Sequence, residues 1–556
     1  MNLRDIAEWD TRALQAVQRS LSERAATIAF VQDGLTDIGR LPAWQDEAAD
    51  AARRRFRIAA DELSGEAAAV AVVESLAREL FDAVTHLQTE LDGVRDTAVA
   101  HGMALSDNGD VADALGPPGD ISDAARREKL RAELRAVARA LILQAEDLVA
   151  DAAAVLNRAA DGGVEPGEVG RGLSAPPPPS DGSPLANREY WDALPAAQRR
   201  EVIELHPEWV GNRDGIPSAV RHKANVSRFA DERSRWELER DHLRETLDHN
   251  LFGGAFTDDD ARLWYAEQKL QDLDDLETLV RDHPDGRLML LDLQSGERTM
   301  AAFALGDPDT ADHISVTTPG IDTTVGSLAG MTDEASALKA EIERQLDLSG
   351  RTDDTVSTIA WLGYQPPTTT GPGNYDVPFI DQNVGRGWLL DAWQSDRATA
   401  GAPKLASFYE GLDVASQTPD PHITALGHSY GSYTQGLALQ DVGPRQPVDD
   451  AVFYGSPGFD ANDESDLGLA PGHGFVMRAH DDPITVADGF GRLGPDPVQT
   501  DLEQLSVREA TTSDGVRRED ANGHSEYPRP SDNGELRASG YNMAVIAAGL
   551  PELALR

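Results

Sequence analysis

The stretch Ile423-Thr424-Ala425-Leu426-Gly427-His428-Ser429-Tyr430-Gly431-Ser432 decides how this 556-residue chain is read. Its first four residues are mostly apolar, as in a strand buried on both faces. They run directly into Gly-x-Ser-x-Gly, the pattern of a nucleophile elbow, where a strand turns sharply into a helix and presents a serine at the bend. Gly427 and Gly431 leave the room that such a bend needs, since strand and helix approach too closely for a Cβ. Ser429 is therefore the candidate nucleophile. A Gly/Ser-rich turn after an ordinary strand would carry the same pattern, so the reading depends on its surroundings.

The surroundings agree. Residues 287–293 and 299–305 are short strand-like runs that predict a hairpin around Gln294-Ser295-Gly296. Strands expected at 313–317, 356–361, 423–426, 450–454 and 475–479 then alternate with helices near 334–346, 399–412 and 430–440. Such alternation predicts a doubly wound, mostly parallel α/β sheet with an antiparallel opening. It places the Gly-x-Ser-x-Gly pattern between a strand and a helix.

An activated serine needs a base, a carboxylate that orients the base, and donors for the oxyanion. In doubly wound sheets with an elbow serine the chain order is Ser, Asp or Glu, His. After the strand at 475–479 comes His480-Asp481-Asp482-Pro483-Ile484, at the carboxyl edge where ligand groups of open sheets gather. Beyond it the one histidine is His524, so an acid here makes His524 the base. The segment His480-Asp481-Asp482-Pro483-Ile484 resembles the acid loop of α/β-hydrolases, in which the triad acid commonly precedes such a Pro. That resemblance implies Asp482 as the acid, with Asp481 the alternative. For the oxyanion, the backbone amides of Tyr430 and of Ile321, in the turn Pro319-Gly320-Ile321-Asp322, are expected by position. Residues 485–520, rich in Gly, Asp and Pro, are expected to loop over the site. Ser456, in Gly455-Ser456-Pro457-Gly458, lacks the elbow pattern and reads as structural. No cofactor is required, and His480 beside two aspartates has no second ligand cluster to make a metal site, so none is expected.

The first third of the chain has a different character. Leu14, Val17, Leu21, Ala25, Ile28, Val31 and Leu35 form one helical stripe, and Val73, Leu76, Leu80, Val84, Leu87, Leu91 and Val94 a second. A polar loop with Asn108-Gly109 and Gly116-Pro117-Pro118-Gly119 separates them from a third stripe: Leu130, Leu134, Val137, Leu141, Ala145 and Leu148, with Ser122 as a cap. The expected organisation is a helical bundle or hairpin at 1–160 and a Pro/Gly-rich linker at 161–184. A helical connector at 185–252 and the α/β domain at 253–556 complete it.

Composition narrows the partners. With 96 acidic and 50 basic residues the formal net charge is -46, which argues against nucleic acid and anionic membranes as ligands. There is no cysteine, hence no disulfide, thiolate metal site or cysteine nucleophile. No apolar run approaches the ~20 residues that span a bilayer, and Met1-Asn2-Leu3-Arg4-Asp5 lacks the apolar core of a secretory signal. The expected location is cytoplasmic, with export by a route using no cleaved signal left open.

Several motifs in order (Pro319-Gly320-Ile321, Trp361-Leu362-Gly363-Tyr364, the Gly427 to Ser432 elbow, Gly455-Ser456-Pro457-Gly458 and Gly523-His524-Ser525-Glu526-Tyr527) resemble an actinobacterial α/β-hydrolase family of unknown substrate. The likeness runs over about residues 188–556. It implies a serine-hydrolase fold and no particular substrate. The triad chemistry itself predicts acyl transfer to water from an ester or, less readily, an amide, of a small-molecule or lipid-like substrate. Trp44, between the first two helices, resembles the turn of WXG-type proteins of type VII secretion. The glycine of that motif is replaced here, the run being Trp44-Gln45-Asp46. That resemblance implies an alternative: an exported or interaction protein whose residues 1–160 bind a helical partner, with the α/β domain as cargo or inactive scaffold.

Overall fold

A computed structural model of the chain describes residues 1–39, 47–114, 124–160, 175–180, 182–249, 258–368, 371–372, 395–441, 446–484 and 493–556. Trp44, Ser122, most of the expected linker and residues 485–492 of the expected lid lie outside the described residues. The chain forms two compact units, Met1–His206 and Pro207–Arg556. Among the described residues no helix is long and apolar enough to cross a membrane.

The first unit is largely helical. Helix α1 (Leu3–Ala7) starts at an Asn2 capping box and is followed by α2 (Thr11–Gly39) and α3 (Glu47–Ala100). The polar loop expected around Asn108-Gly109 contains a small antiparallel hairpin, β1 (Met103–Leu105) and β2 (Val111–Asp113), which buries Met103 and Val111. Its strands of three residues are too short to show an alternating pattern. Helix α4 (Ala124–Ala160) sets Leu130, Leu134, Val137, Leu141 and Leu148 against Leu76, Leu87, Leu91 and Val94 of α3. Of the first stripe only Ile28 is fully buried, and Val17 and Val31 are exposed. Helices α5 (Pro184–Ala193) and α6 (Ala196–Leu205) complete this unit.

The second unit opens with α7 (Ser218–Ser227), α8 (Phe229–His249) and α9 (Asp259–Asp282). Eight strands then build one sheet: β3 (Arg287–Asp292), β4 (Met300–Leu305), β5 (His313–Thr318), β6 (Val356–Leu362), β7 (His422–His428), β8 (Asp450–Tyr454), β9 (Gly474–Met477) and β10 (Glu503–Leu505). Their order across the sheet is β10-β9-β8-β7-β5-β6-β4-β3. Pairings β3/β4 and β4/β6 are antiparallel and the others parallel. This is the expected alpha/beta hydrolase architecture, with an antiparallel opening and a parallel body. The structure adds β10 at the edge, from within the stretch expected to cover the site. Leu502, Leu505 and Val507 are buried there, a spacing too sparse for a strand to be read from it.

Helices cover both faces of the sheet. In β7 and β8, Ile423, Ala425, Ala451 and Phe453 face a core shared with α11 (Asp396–Ala415) and α12 (Tyr430–Asp441). Leu426, Val452 and Tyr454 face the opposite core with α10 (Leu328–Leu348) and α13 (Ala538–Ala547). Burial on both faces explains why these strands read as continuous apolar runs. The segment before α7 is bolted to the far edge of the sheet by side chains. Asn212 donates to and accepts from the backbone of Leu291 at 2.8 Å each, and Asp214 pairs with the buried Arg221 at 3.0 Å.

Candidate active site

The parallel strands end in register. Thr318 pairs with Gly427, Gly427 with Phe453, and Phe453 with Val476, so the loops leaving β5, β7, β8 and β9 emerge side by side. All of the expected site residues lie in or beyond these loops.

Ser429 lies one residue past β7 and one before α12, with φ +53. A non-glycine residue in the left-handed region is strained by about 1–2 kcal/mol, and such strain concentrates at functional positions. The bend is held by Ser429 N–H donating to Tyr454 O at 3.1 Å and by Ser432 Oγ donating to Gly427 O at 2.9 Å. Gly431 is required by proximity. A Cβ there would stand 2.3 Å from Thr318 O and 2.4 Å from Pro319 O, so the start of α12 rests directly on the end of β5.

That contact brings the turn 319–322 onto the serine. Tyr364 Oη donates to Pro319 O at 2.5 Å, and Asp322, itself at φ +63, donates its N–H to Pro367 O at 2.9 Å. Gly320 packs against the Ser429 side chain. Ile321 is half-buried behind it, and Tyr430 is buried with its hydroxyl accepting the Ala398 N–H at 3.2 Å.

The two neighbouring aspartates have different surroundings. Asp481 is exposed and binds the exposed His480 at 2.8 Å. Asp482 is buried, and its Oδ1 accepts from His524 Nδ1 at 2.8 Å and from Ile484 N–H at 3.0 Å. Burial pushes the Asp482 carboxyl up, but donors from His524, Ile484 and Tyr527 outweigh it and hold it below the usual carboxylate range. The structure thus joins Asp482, and not Asp481, to His524. With Nδ1–H engaged, the lone pair of the imidazole is on Nε2.

The family profile described as alpha/beta hydrolase matches residues 295–491, a span that holds Ser429 and Asp482 and ends before His524. The uncharacterized protein Rv0963c of Mycobacterium tuberculosis is 38% identical over 252 residues, which are 44% of this chain and 86% of that one. The chain belongs to the alpha/beta hydrolase family. A counterpart in Mycobacterium bovis has the same identity and coverage. The longer alignment, 385 residues at 29% identity, is to the uncharacterized protein Rv2079 of Mycobacterium tuberculosis and covers 63% of this chain and 54% of that one. A remote likeness to the crystal structure of esterase PE8 spans 45% of this chain and 97% of that one, at 12% identity and TM-score 0.24.

Three residues of this hydrolase domain had no role in the sequence reading. Tyr527 Oη donates to Asp482 Oδ2 at 2.7 Å, His428 Nε2 donates to His524 O at 2.8 Å, and Gly455, at φ +54, faces both Asp482 and His524. All three sit inside the quoted motifs, but a motif does not say which of its members touch.

Proposed function

We propose that the C-terminal unit is a serine hydrolase that cleaves an ester, less readily an amide, through an acyl-enzyme. Ser429 is the nucleophile, His524 the base and Asp482 the carboxylate that orients it. The single observation carrying this reading is the Asp482–His524 bond, formed between two loops at the sheet edge where the strained Ser429 also stands. Proton removal by Nε2 of His524 lets Ser429 Oγ attack the carbonyl, and the imidazolium returns the proton to the leaving group. Water then repeats the sequence on the acyl-enzyme. The amides of Tyr430 and Ile321 are proposed to receive the oxyanion, supported by the packing of the 319–322 turn on the serine.

Labelling of the full chain with a fluorophosphonate tests this reading, with Ser429→Ala as control. Stoichiometric labelling that the substitution abolishes is expected. A folded wild-type protein that stays unlabelled overturns the reading. A panel of esters graded in acyl length then ranks substrates.

A further inference from the structure

His524 and Tyr527 lie three residues apart in the loop that precedes α13, and both reach the same carboxylate from different sides. Tyr527 is fully buried. Its hydroxyl oxygen accepts the N–H of Ala479, at the exit of β9, at 2.8 Å. That bond occupies the oxygen's acceptor side and directs the hydroxyl proton at Asp482 Oδ2, 2.7 Å away. Asp482 Oδ1 meanwhile accepts from His524 Nδ1 and from Ile484 N–H. The carboxylate is therefore held by a donor on each oxygen, and rotation about its last bond would break both sets. The phenol ring is fully buried, with the rings of His428 and Tyr454 at 6.3 and 5.6 Å between centres and Gly455 beside its Cε2.

We infer that Tyr527 is a positioning residue for the proposed hydrolysis, fixing Asp482 as an ionised carboxylate with one oxygen reserved for His524. This rests on the serine-hydrolase reading. The hydroxyl takes part of the negative charge of Asp482, which weakens its pull on the His524 imidazolium. Tyr527 thereby sets both the direction and the basicity of His524 without touching substrate.

The test is the rate of fluorophosphonate labelling of Ser429 as a function of pH, in the full chain. In Tyr527→Phe the ring stays and the donor is lost. The acid limb of the profile, which reports His524 protonation, is expected to move to higher pH, and the plateau rate to fall ~10-fold. In the Asp482→Asn background the same substitution is expected to change the rate less than twofold, because the two residues act as one unit. Tyr541→Phe removes a buried hydroxyl elsewhere in the same core and is expected to leave the limb in place. An unchanged limb and plateau in folded Tyr527→Phe overturn the inference, as does a full additional loss in the Asp482→Asn background. If Tyr527→Phe does not fold, 3-fluorotyrosine at position 527 carries the test: a stronger donor moves the limb to lower pH, and no movement overturns the inference. Failure of the wild type to label at all would instead count against the nucleophile.

Discussion

His428 donates its Nε2–H to the backbone oxygen of His524 at 2.8 Å while the two rings lie 4.8 Å apart. The residue before the elbow serine thus supports the loop that carries the proposed base. Burial first, and the neighbouring His524 second, push the His428 imidazole down to about 4.

A pH dependence of stability follows. In the unfolded chain the imidazole titrates near ~6.5, so above that pH both states are neutral and the fold keeps its full stability. Below it the unfolded chain takes up a proton that the fold refuses. Stability then falls by about 1.4 kcal/mol per pH unit until the folded group titrates, a loss of about 3 kcal/mol in all. His422 acts the other way. Burial lowers it, but the carboxylate of Asp450 at 3.0 Å outweighs burial and raises it, so its contribution is present at low pH and lost as pH rises. His422 is common to wild type and a His428→Gln variant, and its effect cancels in their difference. Urea unfolding between pH 6.5 and 4 is expected to show a flatter slope in the variant; parallel slopes would refute the assignment.

Arg518 concerns stability alone. It is fully buried, with Nη2 at 2.6 Å from Glu341 and 3.2 Å from Asp514, both nearly buried, and its guanidinium lies over the Tyr541 ring. Arg518→Ala takes from Glu341 its closest cation and from Asp514 one of the two guanidinium groups that reach it. Arg344 still reaches both, so a loss of about 3 kcal/mol is expected, the lower end for a broken buried pair. The urea midpoint measures it, and a change below about 1 kcal/mol would show that Arg344 compensates.

How much of this was legible depends on how local the cause is. Strands β6 to β9 announce themselves because each is buried on both faces and so is mostly apolar, whereas in β5 the residues His313, Ser315, Thr317 and Thr318 dilute that signal. The elbow is legible because bend, strand and helix are consecutive. Asp482 was preferred over Asp481 from its place before Pro483, and the structure joins it to His524. What stayed hidden is side-chain pairing across long separations. Asn212 meets Leu291 and Tyr527 meets Asp482 across spans with no periodic signature. Edge strand β10 was hidden because an edge strand of three residues has no room to show a period.

Gly455 tests how tightly the proposed acid and base are fitted. A Cβ there would lie 3.1 Å from Asp482 Oδ2, 3.2 Å from Tyr527 Cε2 and 3.3 Å from His524 Cε1, on a backbone at φ +54. Gly455→Ala is expected to cost about 1–2 kcal/mol of stability through its backbone and to slow labelling of Ser429 by ~10-fold, since small misplacements of catalytic groups are expensive. Gly515→Ala separates the two effects. Gly515 has φ +81 and nothing within 4 Å of the added Cβ, so a similar loss of stability with an unchanged labelling rate is expected.

Gly320 tests the oxyanion proposal at the turn that touches Ser429. Its backbone is not left-handed, so an added methyl acts by contact alone. That methyl would stand 2.6 Å from Ser429 Cβ, 2.9 Å from its Oγ and 3.1 Å from His428 O. The elbow cannot give way, since Ser429 is pinned at φ +53 between β7 and α12. The 319–322 turn must retreat instead, carrying the Ile321 amide with it. Loss of one oxyanion donor costs ~10²-fold in turnover, so Gly320→Ala is expected to cut the turnover of a p-nitrophenyl ester by about that factor. KM is expected to change little, and displacing a turn held by Tyr364 and Pro367 is expected to cost about 1–3 kcal/mol of stability, read from the urea midpoint. Full turnover in this variant would remove Ile321 from the oxyanion site while leaving Ser429, His524 and Asp482 untouched.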